Sequence, residues 1–389
     1  MKTLDLKPAE RLAGTDEYYF SGKLKEIRQL NQSGVQVINL GIGSPDRSPD
    51  KEVITELIEQ ASHASNHSYQ PYQGIPELRR AFANWYSEHY GVTLDADREI
   101  LPLTGSKEGL MHIAMAFINP GDEVLLPNPG YPAYQAVTRI AGGICRQYEL
   151  SEPTGWLPDL EGLGREDLSR VKLMWVNYPH MPTGGRATPG FMKDLVSFAR
   201  QHEILLVNDN PYSFILNEKP VSLMSVEGAF SVALELNSLS KSHNMAGWRI
   251  GMVAGRAEWL DHILRFKSQM DSGIFRPLQL AAVKALQSSR DWYAGINEVY
   301  RQRRERIFEL LDNLGCTWQP AQQGMFVWAR IPQNEISGSG FSDRLLHEHR
   351  VFITPGFIFG SGGERYIRPS LCQPTEVINE AISRIRSGQ

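Results

Sequence analysis

The sequence predicts an α/β protein with a large unit built on a mostly parallel central sheet and a smaller α+β unit. Three observations carry that expectation. Between about residues 99 and 255, short apolar runs alternate with helical patterns. After about residue 285 the alternation stops, and a long polar helix leads into short strands. The chain has 389 residues, about two to three times the length of a typical domain. The expected division gives residues 46–284 to the large unit, and residues 1–45 and 285–389 to the small one.

The elements follow in order. Ile100 to Leu103 reads as a strand, and Gly105-Ser106 then opens a helix with Leu110, Ile113, Ala114 and Phe117 on one face. That helix stops at Asn119-Pro120-Gly121. Glu123 to Leu126 and Val171 to Val176 are the next strands, and a helix follows with Thr188 as its cap and Pro189 in its first turn. Ile204 to Val207, Val232 to Leu236 and Ile250 to Ala254 complete a sheet expected to be parallel and doubly wound. In the small unit, a helix from Trp292 to Leu314 contains the run RQRRER. The strands Met325 to Ala329, Val351 to Thr354 and Tyr366 to Ile367 come next, then a closing helix from about Thr375 to Ile385.

Composition narrows the function classes. Lys plus Arg is 40 and Asp plus Glu is 44, a formal charge of −4, so there is no general attraction to nucleic acid or to an anionic membrane. Cys145, Cys316 and Cys372 form no CxxC pair, which argues against a disulfide framework or a structural zinc site. The first residues lack the apolar run of a secretory leader, and no stretch approaches the roughly 20 apolar residues that cross a bilayer. A cytoplasmic protein is expected. His63 and His67 could share a helical face, and His347 and His349 could not. Neither pair has the company of a metal site.

Polar residues gather where apolar strands end: Thr104-Gly105-Ser106, Asn128 to Tyr131, Asn177 to Gly184, Asp209 to Tyr212 and Ser238 to Lys241. Ligands of open α/β sheets bind at the carboxyl ends of the strands, so one site built from these segments is expected.

The segment SLSKSHNMAGWRIGMVAG, residues 238 to 255, resembles the pyridoxal-phosphate lysine segment of the class I and II aminotransferases of fold type I. The chemistry accounts for its pattern. A lysine amine such as Lys241 joins the cofactor aldehyde, while the Ser238 and Ser240 hydroxyls and the Arg249 guanidinium suit a phosphate. The resemblance extends from about residue 37 to 370. It implies that Asp209, in VNDNPY, pairs with the cofactor's ring nitrogen and that Tyr212 bonds its phenolic oxygen. Gly105, Ser106 and Lys107, in TGSKEG, resemble the phosphate loop at a helix N-terminus. Tyr131, in PNPGYPAY, matches the aromatic that stacks on the ring. Arg368, in YIRPS, matches the residue that binds the substrate carboxylate, leaving Arg365 for a surface salt bridge. Ile42 and Gly43 lie in NLGIGSPD, which resembles the loop that closes over substrate. Tyr69 is similar to a tyrosine that crosses a homodimer interface to the neighbour's phosphate, with Tyr72 as its competitor.

One position departs from the pattern. Relatives carry an asparagine directly before Pro-Thr-Gly that donates to the phenolic oxygen; here it is Met181, whose thioether cannot donate. Asn177, four residues upstream, is the remaining amide and the one assigned to the cofactor. With one donor fewer for the phenolate, the imine that Lys241 would form with the cofactor is expected to hold its proton more tightly than in relatives with asparagine there.

The activity implied is amino-group exchange between an L-amino acid and a 2-oxo acid, with pyridoxal 5′-phosphate as cofactor, no metal, and small molecules as substrates. Aspartate, aromatic, alanine-like and diaminopimelate-like substrates stay open. Arg276, in SGIFRPLQ, lies in a segment that in relatives contributes to the active site across the interface, and is either a side-chain contact for a dicarboxylate or an exposed arginine before Pro277. Alternatives are a carbon–sulfur lyase or an eliminating synthase of the same fold, and a noncatalytic regulatory module. The last would need a DNA-binding domain, for which the matched pattern leaves no room.

Overall fold

The computed structural model describes residues 3–12 and 19–388, apart from the side chain of Phe20. Thirteen strands fall into three sheets among the described residues. The first strand, β1 (Ile38–Asn39), lies outside the central sheet. That sheet holds β2 (Ile100–Leu103), β3 (Glu123–Asn128), β4 (Ile144–Glu149), β5 (Val171–Val176), β6 (Leu205–Asp209), β7 (Ala233–Ser238) and β8 (Gly251–Gly255). Its order is β2-β8-β7-β6-β5-β3-β4.

Burial explains the long apolar runs. Leu173, Trp175 and Val207 pack to one side of the sheet with Leu110, Ile113 and Val137. Their neighbours Met174 and Leu206 pack to the other, with Phe82, Trp85 and Leu195. Successive strand residues therefore feed opposite cores, and both faces are covered by helices. Thr188 caps the helix Pro189–Gln201 by accepting from the amide of Phe191, as expected.

One charge sits inside this sheet. The Glu235 carboxylate is fully buried on β7 and accepts from Ser222 Oγ (2.6 Å), the Leu223 amide (2.8 Å), Asn208 Nδ2 (2.9 Å) and Tyr86 Oη (3.0 Å). Burial raises its pKa, and the four donors work against that rise.

Three details differ from the sequence reading. Strand β8 runs antiparallel to both β2 and β7, where a parallel strand was expected. The connection from Ser238 to Gly251 holds only a one-turn helix and a 3-10 turn, too little for the crossover that a parallel pair needs. Strand β4 and the helices Pro132–Ile140 and Ala257–Lys267 were not anticipated. In β4 only Tyr148 is buried, so this edge strand carries no apolar run. The run Met325 to Ala329 forms little ladder: Phe326 bridges Ser370, and the strand proper is β10 (Ala329–Arg330).

The second sheet has order β12-β13-β10-β9, with β9 at Thr317–Trp318, β12 at Thr354–Pro355 and β13 at Tyr366–Arg368. Its pairings are antiparallel. The third pairs β1 in parallel with β11 (Val351–Phe352), so the residues near 38 share a sheet with the C-terminal part of the chain. Val351 to Thr354 is thus two strands with different partners, divided at Ile353. The helices Arg290–Asn313 and Thr375–Ser387 lie close to their expected bounds.

Candidate active site

The carboxyl ends of β2, β3, β5, β6 and β7 open into one cavity of about 370 Å³. Among the residues expected at a site, Ile42, Gly43, Ser106, Lys107, Tyr131, Asn177, Asp209, Tyr212, Ser238, Ser240, Lys241, Arg249 and Arg368 line it. The five strand ends therefore converge, as the chemistry of their residues suggested.

Lys241 sits in the one-turn helix after β7, and its Nζ donates to the Gly43 carbonyl at 2.6 Å. Burial lowers its pKa, and the nearby Arg368 and Arg249 cations lower it further, while Cys372 opposes them. Asp209 ends β6 and is 5% exposed. Its Oδ2 accepts from Tyr134 Oη at 3.1 Å, and its Oδ1 is buried without a hydrogen-bond partner. Desolvation pushes this carboxyl up to about 7, with the Tyr134 hydroxyl pulling against the rise. Tyr212 follows three residues later, and burial raises its phenol.

Gly105 does not line the cavity but is required beside it. It has φ +81°, and a Cβ there would lie 2.2 Å from Arg249 Nη2. Gly251 brings β8 equally close, since a Cβ would lie 2.8 Å from the Ser106 amide. Arg249 is thereby pressed against the N-terminus of the helix Ser106–Phe117, where orphan amides and a guanidinium share one corner.

Arg368 leaves β13 and is 4% exposed. Its guanidinium carbon is 3.8 Å from the ring centroid of Phe326 and 4.7 Å from that of Phe359. Its Nη2 donates to the Gly41 carbonyl at 2.9 Å, and its Nη1 to Met181 Sδ at 3.3 Å. Met181 is thus a cavity residue that faces the arginine. Asn177 lines the cavity, but its Nδ2 donates to the Asp209 carbonyl and its Oδ1 accepts from the Met181 amide at 2.7 Å. Its amide braces two backbones of the site.

Other expectations divide. Tyr69 is 89% and Tyr72 45% exposed, and neither is in the cavity. Arg276 is not there either; it pairs with Glu77 at 3.1 Å. Arg365 forms no salt bridge among the described residues and instead donates to the backbone carbonyls of Glu335, Ile336 and Pro332. His63 and His67 share no helical face, because the helix Lys51–Ser62 ends before them. The described residues contain no group of three or more His, Cys, Asp or Glu side chains that could hold a metal ion, and no helix among them is long and apolar enough to cross a membrane.

The sequence reading missed Tyr134, Phe326, Phe359, Gly41 and Leu24, all of which line the cavity. Tyr134 had a signal, the second tyrosine of PNPGYPAY. It stacks on Trp175 with centroids 5.3 Å apart while bonding Asp209. The two phenylalanines had none, because only the fold brings them to Arg368.

Known proteins bear on this geometry. Residues 35–385 match the family described as aminotransferase class I and II. An LL-diaminopimelate aminotransferase of Dehalococcoides mccartyi is 40% identical over 382 residues, covering 98% of each chain. The apo form of BacF from Bacillus subtilis is 34% identical with a TM-score of 0.95, covering 99% of this chain and 98% of that one. A probable N-succinyldiaminopimelate aminotransferase of Thermus thermophilus is 33% identical with a TM-score of 0.89, covering 95% of this chain and 100% of that one. Members of this family use pyridoxal phosphate and act on small molecules. Matched along nearly its whole length and sharing the fold-type I architecture, the chain belongs to the class I and II aminotransferases and is itself an aminotransferase.

Proposed function

We propose that the cavity binds pyridoxal 5′-phosphate on Lys241 and that the amino donor is a diaminopimelate-type L-amino acid. The observation that carries the first part is the buried Oδ1 of Asp209, an acceptor with no hydrogen-bond partner among the described residues, on a side chain that belongs to the cavity lining. A protonated ring nitrogen fits that atom, and the corner formed by Gly105, Ser106 and Arg249 fits a phosphate. Lys107, Ser238 and Ser240 line the same cavity. Tyr131 would stack on the ring, Tyr212 would donate to its phenolic oxygen, and Asn177 would hold the backbones beneath. When bound, the cofactor supplies an electrophilic carbonyl carbon and an electron sink.

The chain's own residues do the rest. A depressed pKa leaves more of the Lys241 amine unprotonated, able to attack the carbonyl carbon and to carry a proton from the α-carbon. Arg368 meets the substrate carboxylate at two points, its plane already fixed by Phe326 and Phe359. Two acceptors it meets in the cavity wall, the Met181 thioether and the Gly41 carbonyl, are weaker than a carboxylate. Ile42, 39% exposed, and Gly43 provide cover above.

The donor class rests on the names of the relatives. We further propose the division into units at residues 46 and 284, a cytoplasmic location, and a homodimer in which the exposed Tyr69 reaches a second copy.

The test is a spectrophotometric half-reaction screen against LL-diaminopimelate, aspartate, glutamate and aromatic amino acids. LL-diaminopimelate alone should convert the visible band, and Arg368→Gln should reduce the efficiency of that conversion by about 10²–10³-fold through loss of charged hydrogen bonds. No band, or a band that no amino acid changes, defeats the activity. Conversion by aspartate alone defeats only the donor.

Met181 gives a second expected result. Met181→Asn adds a donor near the phenolic oxygen, so the pH midpoint of the visible band should fall, by about one unit or less for one neutral hydrogen bond. An unchanged or higher midpoint would show that the thioether position does not control it.

A further inference from the structure

The helix Arg290–Asn313 buries Tyr293, Ile296, Tyr300, Arg303, Ile307 and Leu310 on one face. The spacing is that of an apolar stripe, yet one member is an arginine. Arg303 is 5% exposed and belongs to the charged run that composition alone would leave in solvent.

Its guanidinium grips two segments. Nη1 and Nη2 donate to Asp46 Oδ1 and Oδ2 at 2.7 and 2.8 Å, and Nη1 also donates to the Leu371 carbonyl at 3.0 Å. Asp46 lies just past the loop whose Gly41 carbonyl accepts from Arg368 and whose Gly43 carbonyl accepts from Lys241. Leu371 lies three residues past Arg368 on the chain that leaves β13. The two segments are also joined directly, by the Ser370 amide and the Leu40 carbonyl at 2.7 Å.

Stability alone does not account for this ion pair, in which Arg303 is buried while the Asp46 side chain keeps 25% of its surface exposed. An apolar side chain in the stripe would serve the core as well, because the desolvation of the guanidinium offsets much of what the pair gains. What the fork adds is geometry: a planar, two-point grip on a carboxylate that lysine cannot reproduce.

We propose that Arg303 and Asp46 are positioning residues for amino-acid binding and proton transfer. By fixing loop 41–46 against the segment that carries Arg368, the pair sets the guanidinium and the Lys241 amine at the separation of an α-carboxylate and an α-carbon. This rests on the roles given above to Arg368 and Lys241.

Cofactor-loaded Arg303→Lys, Asp46→Asn and the double variant test it, in single turnovers with the amino donor and, separately, with hydroxylamine. Hydroxylamine has no carboxylate and needs no alignment with Arg368. For the amino acid, limiting rate over apparent Kd should fall about 10- to 100-fold, the scale of an ångström-sized misplacement. The hydroxylamine rate should stay within about twofold, and the double variant should be no worse than the worse single one, because the two residues act as a unit. Amino-acid kinetics unchanged in Asp46→Asn would overturn the proposal. So would equal losses with both reagents, which would mark general loosening of the site. If Arg303→Lys does not fold, Asp46→Asn decides the matter by the same two rates. A wild-type protein whose visible band responds to hydroxylamine but to no amino acid would instead remove the transamination reading, and the positioning role with it.

Discussion

Lys241→Ala should lose at least about 10⁴ in the rate of amino-group transfer, because the role proposed for it makes one side chain both nucleophile and proton carrier. Lys107 is the other lysine that lines the cavity, but it stands in the first turn of the helix Ser106–Phe117, at the corner proposed for the phosphate, and not on the bend that carries Lys241. The variant should still retain cofactor through the corner formed by Ser106, Gly105 and Arg249, so a coloured but inactive protein is the expected result. Borohydride reduction of the wild type followed by peptide mass mapping should place the label on Lys241. A label on another residue, or a variant keeping more than about one part in 10⁴ of the rate, would be incompatible with the assignment.

The second large effect is expected at Asp209. Removing one partner of a buried ion pair costs about 3–5 kcal/mol, so Asp209→Asn should slow transfer by about 10²–10³-fold. The same carboxyl predicts a pH effect on the cofactor-free protein. In the folded chain its pKa is pushed up to about 7 by burial, above the value in an unfolded chain. Its contribution to stability is therefore complete below about pH 4 and is lost as the pH rises through about 7. Wild type should lose up to about 4 kcal/mol relative to Asp209→Asn between those limits. Urea midpoints of both proteins at pH 4 and pH 8 measure the difference. With cofactor bound, a cation at Oδ1 should abolish it. A difference that does not change with pH would mean that burial does not govern this group.

Much of the site was legible because its chemistry needs particular residue types at strand ends. Lys241, Asp209 and the TGSKEG turn occupy the last positions of apolar runs, and a parallel sheet delivers such positions to one rim. The missed residues had no such marker. Phe326 and Phe359 read as core, and nothing local distinguishes a ring that packs on an arginine from one that packs on a leucine. Arg303 was hidden for the opposite reason, since its surroundings in RQRRER are charged. The reversal of β8 was not legible from the length of the connection, because the stretch between Ser238 and Gly251 is about as long as a crossover needs; what decides it is that this stretch holds no helix longer than one turn. Strand β4 was not legible, because an edge strand with one buried side chain presents no pattern to detect.

That reversal has a consequence for how the site responds to motion. Lys241 and Arg249 stand on the two legs of a single bend, between strands that are hydrogen-bonded from Ser238–Gly251 down to Leu234–Gly255. Had the chain crossed over a sheet face instead, each would have belonged to a separately moving layer. On a shared bend, a tilt of the sheet carries both nitrogen groups in the same direction by nearly the same amount. The distance between the proposed point of attachment and the proposed grip on the phosphate is thus set within one bend of the chain and not by the packing of two separate layers.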